Sequence, residues 1–411
     1  MNWADTPEEA AFREEVRAFV AERFPTEYAP DPTAENSLEP EDVWGYNWPA
    51  DRVSDDPARR DGARAWAAAL AERGWIAPQW PSEYGGAALS AMQEFILQEE
   101  LMRAGVPTVN GIGAFLIGPT LLEHGSDAQR AEHLPRIASG ERTWAQGFSE
   151  PGSGSDLASL RTRTTRDGDH YVVNGQKVWT SLGNYADWLF VLVRTDPDAA
   201  KPHRGISFLL VDAASDGITI SPIEDIRGDT PFCEIFFDDV RVPVADRVGD
   251  ENRGWYVAMA ALGFERAGIG ATIKYERALE RLVGFVNSSE GEAYLRDDLA
   301  GSRREIARRY AEIRMLHNLA RYTVSRQAAG EPAGYEASVN QLFGAELHQR
   351  LARTGAEVFG QFGQLWQRED APLHAAFAHL RLDSVAATFL GGASEIQRNV
   401  IATRGLGLPR A

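Results

Sequence analysis

The sequence predicts an α+β protein in three consecutive parts: helices, then strands, then helices again. From residue 7 to about 138, apolar residues recur with the period of an amphipathic helix. Between about 140 and 245 the chain turns to short β-branched and aromatic stretches such as "WLFVLVRT" and "GISFLLVD", which are typical of strands. The helical period returns at Trp255. We therefore predict a helical domain at 1–138, a β-domain at 139–250 and a helical bundle at 251–411.

The N-terminal part contains a clear helix and a predicted loop. In "PEEAAFREEVRAFVAERF" four apolar residues fall on one helical face: Phe12, Val16, Phe19 and Val20. Residues 30–60 are rich in Pro, Asp and Glu, and this composition predicts a long surface loop. Trp44 and Trp48 within it predict that the loop docks on another surface.

Composition and charge exclude several classes of function. The chain has 42 Lys plus Arg and 60 Asp plus Glu, and the resulting formal net charge of −18 argues against nucleic acid as the main partner. A single cysteine, Cys233, cannot form an intrachain disulfide and favours a reducing cytoplasm. No apolar run approaches the length that spans a bilayer, and the eight histidines show no metal-ligand spacing. We expect a soluble, cytoplasmic protein without membrane insertion and without a metal site.

Two stretches carry residues suited to holding a flat or phosphate-bearing ligand. "GFSEPGSGSD" (147–156) places glycines and serines where helices give way to strands, so backbone N–H groups and hydroxyls are exposed. "NGQKVWTS" (174–181) begins with Asn174-Gly175, a dipeptide that predicts a hairpin turn. Further along, Trp179 can lie against a flat cofactor while Thr180 or Ser181 bonds its heteroatoms. Taken singly, an interdomain loop and a core Trp are the simpler interpretations.

Five segments, in this order, resemble the acyl-CoA dehydrogenase family across nearly the whole chain. They are "WPSEYGG" (80–86), "GFSEPGSGSD" (147–156), "NGQKVWTS" (174–181), "FFDDVRVP" (236–243) and "GGASEIQR" (391–398). The resemblance implies an N-terminal helical domain, a middle β-domain and a C-terminal four-helix bundle. It also implies FAD as cofactor, an acyl-CoA thioester as substrate and an electron-accepting flavoprotein as partner. In that family a base removes the α-proton, the β-hydrogen leaves as hydride to flavin N5, and the product is the 2,3-enoyl-CoA.

The resemblance assigns residues to cofactor and substrate, position by position. Phe148 and Ser149 would lie at the flavin edge, Trp179 would pack on the ring and Ser181 would bond it. Ser155 would contact the CoA portion of the thioester. The remaining cofactor-binding positions implied are Gln361, in the segment "EVFGQFG", and Glu395, in the tail.

The base of most family members lies in a tail segment of the form Y-E-G-T-S-x-I-Q-R, and this chain lacks it. In the alignment on "IQR" the carboxylate position is Gly391, whose N–H can still donate to the thioester carbonyl. Branched-chain and long-chain members place the base in an E-R dipeptide on the first long helix after the β-domain, which here is Glu265-Arg266. Glu265 is therefore the predicted base, with a pKa raised by apolar neighbours such as Phe264, and Arg266 is a predicted substrate-binding residue. In an unrelated helix, a Glu-Arg pair would indicate a solvated ion pair.

Within the family, the chain resembles an actinobacterial subgroup that acts on steroid side-chain and other bulky acyl-CoA thioesters and often forms α2β2 heterotetramers. Three family features near the cofactor are altered: the R-x-x-F-G segment is absent, Gln361 replaces a glycine and Ala393 replaces a threonine. These changes favour a partner chain that completes the FAD site. A homo- or hetero-oligomer, as a dimer or an α2β2 tetramer, is therefore expected. The alternatives are a non-catalytic half-site subunit and a flavin monooxygenase or oxidase of the same fold.

Overall fold

The computed structural model describes residues 4–29, 47–265, 270–294, 299–331, 334–366 and 370–409. These residues form two compact units. The first, called the helical unit, takes the described residues of Met1–Asn47, Ser90–Thr108 and Arg266–Ala411. The second, called the sheet unit, comprises Trp48–Leu89 and Val109–Glu265. None of the helices within these described ranges combines the length and the apolar character needed to cross a membrane.

The sheet unit is built on an eight-stranded sheet within the described residues. The strands are β1 (Trp144–Gly147), β2 (Arg163–Asp167), β3 (His170–Ser181), β4 (Trp188–Arg194), β5 (Ile206–Asp212), β6 (Ile218–Ile223), β7 (Phe232–Pro243) and β8 (Arg247–Val248). Their order is β6-β7-β3-β2-β4-β5-β8, with β1 paired in parallel to β4. Strand β3 pairs antiparallel with β7 on one side and with β2 on the other. Its residues are therefore held from both sides.

Apolar side chains cover both faces of this sheet. Strand β4 shows this directly, because Leu189 and Val191 belong to one buried cluster while Phe190 and Leu192 belong to another. The buried members of the first cluster all lie on the strands, whereas the second also contains residues of helices, among them Ile117, Leu121, Leu134, Ile137 and Val257. The sheet is thus a fixed platform with a helical layer on one face.

Several helices complete the sheet unit. They are Trp48–Asp51, Pro57–Glu72, Gly118–His124, Asp127–Ala138 and Gly254–Glu265, with a π-helical turn at Gly113–Ile117. Trp48 is 1% exposed and its Nε1 donates to the carbonyl oxygen of Ala63 at 2.9 Å, so the predicted docking of this residue is confirmed. The prediction of a loop through residue 60 is wrong, because Asp56 caps a helix that Pro57 begins. Trp44 lies outside the described residues.

The predicted hairpin at Asn174-Gly175 is also wrong, because both residues lie inside the continuous strand β3. At this point the pairing of β3 with β7 shifts register, so the dipeptide marks a β-bulge. Asn174 Nδ2 donates to Asp239 Oδ1 on β7 at 2.9 Å. A Cβ on Gly175 would lie 2.7 Å from the Cα of Thr162, so the glycine permits a close backbone approach rather than a turn.

We expect Gly175→Ala to lower the free energy of unfolding by about 1–3 kcal/mol. Gly175 has a φ of 150°, which residues with a side chain rarely adopt, and the added methyl group would lie 2.7 Å from both the backbone Cα and the Oγ1 of Thr162. Urea unfolding followed by circular dichroism measures the effect. Gly152→Ala is the control, since a Cβ there has no atom within 4 Å among the described neighbours. Equal stability of the two variants would contradict the prediction.

The helical unit contains the remaining long helices of the described chain. They are Pro7–Arg23, Ala91–Ala104, Gly270–Val286, Leu299–Ala328, Glu336–Val358, Ala376–Ala386 and Ser394–Val400. In the first helix Phe12, Val16 and Phe19 are buried as predicted, and Val20 is partly exposed. The C-terminal helices share one apolar core, whose members include Leu279, Leu282, Ile313, Leu316, Leu347, Leu351, Phe377 and Leu380. The predicted helical bundle is thus confirmed.

A buried ion network joins the helices Pro7–Arg23 and Ala91–Ala104. The guanidinium of Arg13 lies 2.9 Å from Glu99 and also contacts Glu100, and both glutamate side chains are only 4% exposed. Burial acts to raise the pKa of Glu99, but the neighbouring guanidinium groups of Arg13 and Arg103 outweigh it, so that the pKa lies below its ordinary value. The network therefore keeps Glu99 ionised inside the helical unit.

The two compact units cross the borders of the three predicted domains. The helix Ala91–Ala104 belongs to the helical unit, although the residues on either side of it in the sequence belong to the sheet unit. Within the helical unit, Arg13 of the first helix is a charged partner for Glu99 and Glu100 of this helix. The division at 1–138, 139–250 and 251–411 stays a prediction.

Candidate functional site

The Gly/Ser stretch 147–156 leads into a loop closed by one carboxylate. Glu150 and Ser153 exchange two backbone hydrogen bonds, at 2.9 and 3.0 Å, which form a tight turn. The carboxylate of Glu150 accepts the backbone N–H of Arg161 at 2.6 Å and that of Thr162 at 2.8 Å. Since both acceptor oxygens are used at the far end of the loop, Glu150 fixes residues 150 to 162 as one closed segment.

Glu150 is also paired with Lys177 of strand β3. The Lys177 Nζ lies 2.8 Å from Glu150 Oε1 and donates to the carbonyl oxygen of Phe148 at 3.1 Å. The side chains of Lys177 and Glu150 are 0% and 8% exposed. Burial lowers the pKa of Lys177 to about 8, against the opposing effect of Glu150. Burial acts to raise the pKa of Glu150, but Lys177 outweighs it and holds that pKa below its usual value, so both groups are charged at neutral pH.

Two residues after Lys177, strand β3 exposes Trp179. The register with β7 shifts between Lys177 and Thr180, and Trp179 has a φ of 61°, an unfavourable conformation for a bulky residue. Its indole is 58% exposed and meets the ring of Phe232 edge to face, with 6.0 Å between the centroids. The irregular strand therefore presents a large flat aromatic surface that a regular position would not.

Hydroxyl groups beside Trp179 remain available for a ligand. The N–H of Val178 donates to the carbonyl oxygen of Ser149 at 2.9 Å, which ties β3 to the Gly/Ser stretch. Ser149 and Ser181 have partly exposed side chains. Their hydroxyls make no hydrogen bond to any described residue. The buried Oγ1 of Thr180 also lacks a partner in the described part of the chain. An exposed indole with free hydroxyls nearby suits a flat ligand with polar edges.

Phe148 and Ser155 occupy different environments in the sheet unit. The side chain of Phe148 is 5% exposed and packs edge to face on Phe190 and Phe208, at centroid distances of 5.6 and 5.9 Å. A ligand at the surface would therefore meet the backbone of Phe148 rather than its ring. Ser155 is exposed on the Gly/Ser stretch.

The predicted base lies at the end of a helix of the sheet unit. The helix Gly254–Glu265 packs into the core through Val257 and Ala258. The structure describes only the backbone of Glu265. Arg266 lies outside the described residues.

The tail glycines form a left-handed turn in the helical unit. Gly391 and Gly392 have φ values of 63° and 104°, which glycine adopts without strain. The Nε2 of Gln397, a buried side chain, donates to the carbonyl oxygen of Gly392 at 3.1 Å and to that of Gly391 at 3.4 Å. The N–H of Gly391 has no acceptor among the described residues. The turn is thus fixed through its carbonyl groups while this N–H remains available.

The other two predicted cofactor residues are exposed in the helical unit. Gln361 lies in the short 3-10 helix Gly360–Gln364. Glu395 lies in the first turn of Ser394–Val400, 3.8 Å from Arg398. Neither environment restricts these side chains to one role.

Models of the acyl-CoA dehydrogenase family match three successive parts of the chain. The N-terminal domain matches residues 49–141, the middle domain 145–240 and the C-terminal domain 252–406. The chain belongs to the acyl-CoA dehydrogenase family. The predicted fold class and enzyme class are thereby confirmed.

Individual acyl-CoA dehydrogenases resemble the chain over most of its length. Acyl-CoA dehydrogenase IpdE1 of Mycobacterium tuberculosis is 40% identical over 358 residues, which are 84% of this chain and 88% of that protein. A solved structure titled "Tcur3481-Tcur3483 steroid ACAD" is 30% identical, with a TM-score of 0.82 and full coverage of both chains. The crystal structure of the ChsE4-ChsE5 complex from Mycobacterium tuberculosis is 33% identical, with a TM-score of 0.81 and full coverage of both chains.

As an acyl-CoA dehydrogenase, the chain is an oxidoreductase that uses FAD and acts on an acyl-CoA thioester. The sheet unit contains a surface that fits the flavin ring. Trp179 offers an exposed aromatic face, and Ser149 and Ser181 offer hydroxyls without partners in the described chain. These are the features that a flat ring with a polar edge requires.

Two residues beneath this surface were not predicted from the sequence, although both lie in the segments 147–156 and 174–181. Lys177 and Glu150 form the buried pair beneath the Gly/Ser stretch. The sequence does contain a signal of this pair, because Lys177 precedes the apolar Val178 in a predicted strand. A lysine in a buried strand position requires a carboxylate partner, and the acidic residue of the nearby Gly/Ser stretch could have been proposed.

Proposed function

We propose that the chain dehydrogenates a bulky, steroid-type acyl-CoA thioester between its α- and β-carbons, with Glu265 as the base. The observation that carries the substrate class is the likeness, over the full length of both chains, to the structure titled as a steroid ACAD. Acyl-CoA dehydrogenation itself follows from the family. The identity of the base and the size of the acyl group form the proposal.

In this proposal Glu265 and Gly391 have separate roles in forming the enolate. The tail position at which most relatives carry the base is Gly391 here, so a proton acceptor must come from another element. Glu265, at the end of Gly254–Glu265, supplies a carboxylate that takes the α-proton. The N–H of Gly391 donates to the thioester oxygen on which negative charge develops. The available N–H and the glycine turn fixed by Gln397 support this second role.

The proposed flavin site uses the surface around Trp179. Bound FAD supplies the acceptor for the hydride that leaves the β-carbon. Trp179 packs against the ring and excludes water from one side, while Ser149 and Ser181 donate to its polar edge. Phe148 contributes its backbone, Ser155 holds the CoA portion, and Arg266, Gln361 and Glu395 complete the proposed set.

We further propose that a second chain completes the assembly. The likeness to the ChsE4-ChsE5 complex, 33% identical over the full length of both chains, supports a hetero-oligomer. Gln361 and Ala393 replace residues expected at the cofactor, which also supports a contribution from another chain. An electron-accepting flavoprotein would reoxidise the reduced enzyme.

Anaerobic reduction of the flavin tests the proposed substrate class. We expect the CoA thioester of a steroid side-chain acid to bleach the visible flavin absorbance faster than butyryl-CoA, isovaleryl-CoA or palmitoyl-CoA. Mass spectrometry should show a product that has lost two hydrogens. Faster bleaching by a short or linear thioester would contradict the substrate class. Oxygen consumption without the enoyl product would favour an oxidase, and a flavin-loaded protein that no thioester bleaches would favour a half-site subunit.

A further inference from the structure

We propose that Glu150 and Lys177 are positioning residues that hold the flavin-binding face of Trp179. The inference rests on the proposed location of the flavin at Trp179, Ser149 and Ser181. Neither charged group is itself at the surface, since their side chains are 8% and 0% exposed. They act through the segments that they join.

The pair connects three stretches of backbone. Lys177 Nζ donates to the carbonyl oxygen of Phe148, directly before Ser149, and to Glu150 Oε1. Glu150 in turn accepts the N–H groups of Arg161 and Thr162. The start of the loop, its end and strand β3 therefore meet at one buried ion pair.

The ion pair holds β3 two residues before the strained Trp179. Lys177 is held by the pair, and the N–H of the next residue, Val178, donates to Ser149 at 2.9 Å. Trp179 follows with a φ of 61° and an exposed ring. A strained backbone conformation persists only where its surroundings determine it strongly. The hydrogen bonds of Lys177 and Val178 fix the backbone on the N-terminal side of Trp179.

General stabilisation alone does not explain such a pair. An apolar pair of similar volume is often as stable as a buried ion pair, because removing two charges from water costs several kcal/mol per ion. An apolar pair could not accept two N–H groups and also donate to a carbonyl oxygen. The arrangement is therefore suited to fixing geometry between the loop and the strand.

Flavin binding by variants of the purified holoprotein tests the inference. We expect Lys177→Met to weaken FAD binding by about 10-fold to 100-fold and to change the visible flavin spectrum. Glu150→Gln, which preserves shape and removes the charge, should act in the same direction and serves if Lys177→Met does not fold. Flavin fluorescence titration and absorption spectra measure both effects without turnover.

Arg52→Met is the matched control for lost stability in the same unit. Arg52 forms an ion pair with Asp187 at 2.7 Å and is mostly buried, but it takes no part in the proposed flavin surface. Arg52→Met should lower the melting temperature without changing the flavin spectrum or the affinity for FAD. A comparable loss of flavin affinity in Arg52→Met would show that destabilisation alone explains the effect and would overturn the inference.

Trp179→Ala tests the proposed flavin location separately from the positioning role of the ion pair. If Trp179→Ala weakens FAD binding while both pair variants bind FAD within about twofold of wild type, the positioning role is wrong and the flavin location stands. If Trp179→Ala changes neither affinity nor spectrum, the proposed flavin location is wrong, and the positioning role falls with it.

Discussion

Glu265→Gln should slow reduction of the flavin by an acyl-CoA thioester by about 10²–10⁴-fold and leave substrate and FAD binding close to wild type. Glutamine preserves the size of the side chain but cannot accept the α-proton. Since its amide keeps a polar group of the same size, binding should persist while proton removal fails. Anaerobic stopped-flow measurement of flavin bleaching, with a parallel substrate titration, separates the rate from the affinity.

The same substitution at an exposed position provides the control. Glu22→Gln changes an exposed carboxylate on the helix Pro7–Arg23 and should reduce flavin at the wild-type rate. Equal bleaching rates in Glu265→Gln and wild type would show that the base is another residue. A loss of bound FAD in Glu265→Gln, rather than a slower rate, would likewise contradict a role confined to proton transfer.

Arg13→Met should lower the free energy of unfolding by about 3–5 kcal/mol, because it leaves two buried carboxylates without their shared cation. Arg13 contacts Glu99 and Glu100, and its own side chain is 13% exposed. Arg17 and Arg103 still reach these glutamates, but each is more exposed than Arg13. Urea unfolding at neutral pH measures the loss.

An exposed ion pair supplies the control for Arg13→Met. Arg308, 68% exposed, pairs with Glu305 one helical turn away, and pairs of this kind contribute at most about 1 kcal/mol. Arg308→Met should therefore be nearly neutral. If Arg13→Met were equally neutral, the network would not be what joins the helices Pro7–Arg23 and Ala91–Ala104.

The difference between Arg13→Met and wild type should shrink at acid pH. The pKa of Glu99 is lowered in the folded protein, so its stabilising effect is fully present above its unfolded pKa, about 4.3, and is lost as the pH falls through the lower folded pKa. Arg13→Met removes one of the cations that lower this pKa, while the burial that acts to raise it remains, so protonation of Glu99 should cost the variant less than wild type. Unfolding curves from neutral pH to about pH 3 test this. A difference that stays constant with pH would contradict it.

Local patterns predicted much of the fold but misjudged one dipeptide and the end of one loop. The helical period of Phe12, Val16 and Phe19 and the apolar run of β4 depend on neighbouring residues only, so they could be recognised directly. Asn174-Gly175 has the composition of a turn, yet it forms a bulge. That outcome depends on Asp239, 65 positions away along the chain, which bonds to Asn174.

The candidate site shows the same division. The motifs around Trp179 and the empty tail position at Gly391 were visible in the sequence, since both are read from residue type and order. The burial of the Phe148 ring was not visible, because it depends on Phe190 and Phe208 of two other strands. The exposure of Trp179 was not visible either, because it arises from a register shift between β3 and β7.

The sequence by itself therefore determined the family, the order of helices and strands, the FAD-dependent chemistry and the candidate base. These properties follow from residue types and spacing within short segments, which can be recognised without knowledge of distant contacts. Only the tertiary structure decided which charged residues are partners. Lys177 meets Glu150 across 27 positions, and Arg13 meets Glu99 across 86. Partners so far apart are selected by packing, because a buried charge is tolerated only where the fold brings an opposite charge to it.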